Sequence, residues 1–141
     1  MRFLGNVLWI ILGGLEAAVG WVIAGVLMFI SIVGIPFGKS CFTIALFSLA
    51  PFGRKAVDRS KLQGHEDVGT GPLGMVGNVL WLLLCGWWLA LLHLTLALLL
   101  AITIIGLPGA YQHLKLARVS LFPIGKEVVD AKTARFLEER P

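Results

Sequence analysis

Apolar residues run almost unbroken over positions 7–33 and 76–114; the first stretch holds one charge, Glu16, and the second holds none. Each exceeds the roughly 18 residues that mark a membrane-spanning helix. At about 1.5 Å per residue, either would be long enough to cross a hydrocarbon core about 30 Å thick. The first is also too long for the apolar region of a signal peptide, and no small-residue cleavage site follows it. The same five letters, GNVLW, open both runs, at 5–9 and at 77–81.

The shared letters belong to a longer repeat. Moving the chain by seventy-two positions places Gly34 on Gly106, Pro36 on Pro108, Ser48 on Ser120, Pro51 on Pro123 and Gly53 on Gly125. Two unrelated greasy helices would match Leu with Leu, but would not register Asn, Trp, Pro and Gly at one offset. In each copy the long helix ends at a Gly-x-Pro turn, because proline cannot continue it and glycine permits the reversal. A shorter segment follows, 37–49 in the first copy and 109–121 in the second.

The pattern predicts an all-α integral membrane protein with a tandem internal repeat, each copy a long transmembrane helix and a shorter second helix. Residues 1–57 form the first repeat, 58–72 a charged Gly-rich linker, 73–129 the second repeat and 130–141 a charged tail. The short segments either recross the membrane or lie at its interface. Lys and Arg favour the first, with Arg54, Lys55, Arg59 and Lys61 in the middle and Lys126, Lys132, Arg135 and Arg140 in the tail. The intervening turns carry only Lys39, so the positive-inside rule puts the termini and the middle segment on one side.

Composition agrees. Apolar residues make up 57% of the chain and charged residues 14%, with a formal charge of +4, too little polar surface for a soluble domain. The positive balance reads as topology and anionic-lipid contact, with no nucleic-acid signature beside it. Cys41 and Cys85 lie in apolar surroundings and read as small hydrophobes.

The pattern NVLW, apolar helix, GIPFG, short segment, PFGR resembles the YccF family of small bacterial inner-membrane proteins, and both repeats carry it. The resemblance implies a compact multi-pass protein of the bacterial inner membrane. It implies no substrate or reaction.

Several residues are candidates for more than packing. Glu16 is an ionisable group in a membrane helix, a functional candidate by default. His93 could hydrogen-bond a neighbour or relay protons. Asn6 and Asn78 stand where an N-cap would, and could also line a symmetric pore. Trp9 and Trp81 suit the headgroup level, and Lys115 and Arg118 suit lipid phosphate. Gly13, Ala17, Gly20 and Ala24 form a small-residue stripe for close helix packing, expected to receive a bulky face within the chain or from another copy; the equivalent positions of the second helix, Cys85, Leu89, Leu92 and Leu96, are mostly bulky. His65, Glu66 and Asp67 read as a solvated loop.

No nucleophile–base pair, metal-ligand spacing or phosphate loop is present, so neither an enzyme nor a cofactor is expected. The partners expected are the bilayer, further copies of the chain in a homo-oligomer, and another membrane protein. The expected function is an oligomeric channel or transporter for a small ion or solute, because a chain this small needs several copies to enclose a path; the alternative is a non-transporting scaffold or accessory subunit of a larger membrane complex.

Overall fold

A computed structural model describes residues 2–32 and 34–139; Arg140, counted above with the basic tail, lies outside the described residues. Each apolar run forms a helical hairpin. In the first, α1 (Arg2–Trp9) passes through a widened π turn (Ile10–Gly14) into α2 (Leu15–Ile30), which packs along α3 (Ile35–Leu49). A short helix, α4 (Arg59–Gln63), lies between the hairpins. In the second, α5 (Pro72–Trp81), a π turn (Leu82–Gly86) and α6 (Trp87–Ala101) lead to α7 (Leu107–Leu121). Pro36 and Pro108 sit in the first turn of the returning helices, where a missing N–H costs nothing.

The long helices are not continuous rods. At Gly13 the backbone reaches φ +119°, a region open to glycine and closed to most other residues. Cys85, the equivalent position, keeps helical geometry within its own π turn.

The expectation of an all-α chain is corrected by a two-stranded sheet. Strand β1 (Arg54–Asp58) pairs antiparallel with β2 (Lys126–Asp130). The strands close the two repeats, each passing one residue beyond the expected boundary, and the segment read as a Gly-rich linker continues from β1 as α4. Opposite charges meet across the ladder: Arg54 faces Asp130, and Asp58 faces Lys126, whose Nζ lies 2.6 Å from Asp58 Oδ1. Gly53 and Gly125, at φ +80° and +83°, make the equivalent turns from helix to strand. Helix α8 (Ala131–Glu138) packs on both strands, buries Ala134, and pairs Glu138 with Lys55.

The two hairpins meet where Trp21 faces His93, and Gly20 receives Leu89 and Leu92: a Cβ there would lie 3.3 Å from one leucine and 3.5 Å from the other. Ala17 and Ala24 are fully buried and Ser31 is exposed. After α4 the loop is closed by Asp67, whose Oδ1 accepts from the N–H groups of Gly69 and Thr70 at 2.8 and 3.0 Å while Arg59 binds its carboxylate. That guanidinium holds Asp67 well below the ordinary carboxylate range.

Two outcomes are expected in detergent. Gly20→Leu overpacks the hairpin junction and lowers stability by about 1–3 kcal/mol, read from thermal melting. Asp67→Asn lowers stability by about 1 kcal/mol at neutral pH. A carboxylate with a depressed folded pKa contributes above its unfolded value of about 3.9 and loses that contribution as pH falls towards the folded one. The gap between wild type and Asp67→Asn therefore closes in the acid range.

Candidate functional site: the buried Trp–His core

The last four carbonyls of a helix have no partner within it, and in hydrocarbon no water replaces one. The repeated Asn-x-x-Trp answers that need. Trp9 Nε1 donates to Ser48 O at 2.6 Å, and Trp81 Nε1 donates to Ser120 O at 2.7 Å, each in the last turn of the short helix of its own repeat. One turn earlier, Asn6 Oδ1 accepts from Phe52 N at 3.1 Å. Asn78 makes two bonds to one residue: Oδ1 accepts from Ile124 N at 3.0 Å, and Nδ2 donates to Ile124 O at 3.1 Å.

These contacts correct three expectations. Asn6 and Asn78 lie within α1 and α5, so they are not N-caps; their amides are turned onto the chain leaving the short helix. Trp9 and Trp81 are 1% and 0% exposed, so they are buried clamps and not headgroup-level rings. A buried indole N–H needs an acceptor, and the free end of a helix supplies one. Lys115 does not reach for lipid phosphate either. Its Nζ donates to Pro51 O and Arg54 O, both at 2.9 Å, and lies 5.2 Å from the Phe47 ring centre. Arg118 is exposed in the last turn of α7.

Between the clamps lies a line of buried rings. The Trp21 and Trp81 rings stack with centres 5.4 Å apart. Trp21 Nε1 donates to His93 Nε2 at 3.2 Å, and His93 Nδ1 lies 3.0 Å from His113 Nδ1. The indole can only donate, so His93 accepts at Nε2 and its proton sits on Nδ1, from which it donates to His113. His113 Nδ1 then accepts, and its own proton is on Nε2, which faces the backbone opened at Gly13. The His113 ring also lies 4.4 Å from that of Trp9. A Cβ at Gly13 would lie 3.0 Å from His113 Nε2, a tight contact that gives a second reason for glycine there.

His93 and His113 are both fully buried. The candidates therefore separate: His93 joins this core, Asn6 and Asn78 anchor its ends, and Glu16 is exposed in the first turn of α2. Sequence reasoning misses His113, because its repeat equivalent is Cys41 and no symmetric signal marks it. Among the described residues no cluster of three or more His, Cys, Asp or Glu is placed to hold a metal, and Cys41 and Cys85 are buried free thiols.

Duplicated apolar hairpins, whose core polar side chains bond mostly to the chain itself, define a membrane-embedded helical protein. The profile of the YccF family, described as an inner membrane component domain, matches residues 4–54 and 76–126, so it occurs twice and covers more than half the chain. The chain belongs to the YccF family and is a protein of the inner membrane. It is 34% identical over 140 residues to inner membrane protein YccF of Escherichia coli (strain K12), an alignment covering 99% of this chain and 95% of that one. The Shigella flexneri protein of the same name matches to the same extent. No solved structure matches.

Alanine at the two asparagines should separate their roles. Asn78→Ala removes two hydrogen bonds and Asn6→Ala removes the bond to Phe52. The first should cost about 1–3 kcal/mol and the second about 1 kcal/mol by thermal melting.

Proposed function

We propose that the chain is a non-transporting membrane scaffold, or an accessory subunit of a larger membrane complex. One observation carries this reading: the polar residues that a pathway through the hairpins would use are turned onto the chain itself. Asn6 and Asn78 hold the ends of the short helices, and His93 is closed between Trp21 and His113. A pore needs groups that replace an ion's water, and these groups are already spent on internal bonds. Glu16 is exposed, but it stands in the first turn of α2 with Leu15 and Val19 exposed beside it, a lipid-facing stripe with one acid near its end. The scaffold reading functions with a single copy.

The test is ion flux through purified protein in liposomes, wild type beside Glu16→Gln, with particle mass determined in the same detergent. The expected result is flux no greater than from protein-free liposomes for both proteins. Selective flux from a well-inserted preparation, altered by Glu16→Gln, overturns the scaffold reading and places Glu16 near the path.

A further inference from the structure

We infer that the chain holds one membrane phospholipid, with the phosphate in a polar cleft near the start of α3 and an acyl chain in the apolar groove beside it. This goes beyond the scaffold reading and holds whether or not the chain transports.

Two cavities meet at Phe37, which lines both. The first is a groove of about 240 Å³ between the turn of the first hairpin and α5, walled by Met28, Gly34, Gly77, Leu80 and Leu84. Its polar residue, Ser31, is already bonded: the hydroxyl donates to Met28 O at 2.7 Å and accepts from Gly34 N at 3.2 Å. Gly77 lets the Phe37 ring seat against α5, since a Cβ there would lie 3.0 Å from that ring. Leu80 and Leu84 are exposed, so the groove opens on the apolar surface that hydrocarbon covers.

The second cavity is a cleft of about 170 Å³ with Lys39, Ser40, Thr43, Arg59, Lys126 and Glu127 in its wall. Most of these groups are matched. Arg59 binds Asp67 and interacts with Glu127, and Lys126 Nζ lies 2.6 Å from Asp58 Oδ1. Thr43 Oγ1 donates to Lys39 O at 3.1 Å. Two groups are left over. Among the described residues Lys39 has no carboxylate partner, and Ser40, 9% exposed, has a hydroxyl with no hydrogen bond.

A free ammonium and a buried free hydroxyl, neighbours near the start of α3, call for an anionic acceptor. The positive end of the helix dipole favours the same charge. A phosphodiester brings one negative charge and several acceptor oxygens. A soluble anion would leave the groove empty, and a hydrocarbon alone would leave Lys39 and Ser40 unmatched. A phospholipid answers both sides of Phe37.

The second repeat lacks the parts. Gly109 stands in place of Phe37 and Tyr111 in place of Lys39, so the shared wall and the free cation are both gone. Lys115 stands in place of Thr43, and its ammonium is taken up by Pro51 O and Arg54 O. One lipid per chain is therefore expected.

The test is binding of dioleoylphosphatidylglycerol to the purified chain in detergent, followed by native mass spectrometry. Wild type should hold one lipid per chain more tightly than any further copy. Lys39→Gln removes a charge-assisted contact and should weaken that binding by about tenfold; Ser40→Ala should weaken it less. Leu84→Trp, which fills the groove, should weaken it as well. Lys61→Gln, which removes an exposed lysine outside the cleft, should leave it unchanged. Equal losses in Lys39→Gln and Lys61→Gln would mean general attraction to surface charge, and would overturn the inference. Dioleoylglycerol binding as tightly as the phospholipid would overturn it by showing that the phosphate is not read. Displacement of the lipid by equimolar inorganic phosphate would make the cleft a soluble-anion site, which overturns it equally. Lys39 is exposed, so Lys39→Gln leaves the packing intact and decides the matter even if Leu84→Trp misfolds.

Discussion

A carbonyl at the end of a helix in hydrocarbon must find a donor, and in this protein the donor is a tryptophan one helix away. The bonds from Trp9 to Ser48 O and from Trp81 to Ser120 O determine where each short helix stops. Beside them, Asn6 and Asn78 take hold of the residues that leave it. With the stop set, Gly53 and Gly125 can turn the chain into a strand at the same point in both repeats, and the strands then arrive in register. Hairpin length, strand start and ladder alignment follow from one repeated side-chain contact.

The same economy explains why so few polar atoms are available to a solute. Burying a polar group without a partner costs several kcal/mol in an apolar medium. The polar side chains at the centre of the molecule are therefore matched to other groups of the chain: indole to carbonyl, amide to backbone, indole to imidazole, imidazole to imidazole. Lys115 obeys the rule as well, its ammonium held by two carbonyls of the first repeat's exit. Ser48 Oγ, Gln112 Oε1 and His113 Nε2 stand outside it, buried with no bond of their own. Most of the charges lie on the sheet, α4, α8 and the loop between α4 and α5, while Glu16, Lys39 and Arg118 stand exposed on the hairpin helices among Ile, Leu and Val.

Much of this is legible in the amino-acid order alone. Apolar runs, the Gly-x-Pro reversals and the constant offset predict duplicated hairpins, and the small residues around Gly20 mark a face that receives leucines. Two features are hidden for definite reasons. RKAVD and KEVVD alternate too briefly to look like strands, and the basic residues that open them draw attention to charge. Their common VVD or AVD ending at the repeat offset is the usable signal. The role of Asn-x-x-Trp is masked because Asn before an apolar helix suggests a cap and Trp suggests the headgroups, both local rules. The real partners lie thirty-nine and forty-six residues away, beyond any local rule. Of the line of rings only His93 stands out, as an imidazole in an apolar helix; His113 and Trp21 have no matching letters in the other copy to mark them.

That asymmetry bears on how the two copies are joined. Trp21 and His93 are equivalent positions that face each other between the two hairpins, so in a symmetric association of two identical half-chains each would face itself. Two indoles both donate and neither accepts, so a Trp–Trp pair there would leave two N–H groups with nothing to bond. Covalent fusion releases the two halves from carrying the same letter. It lets a donor on one side be answered by an acceptor on the other, at the one place where symmetry would forbid it.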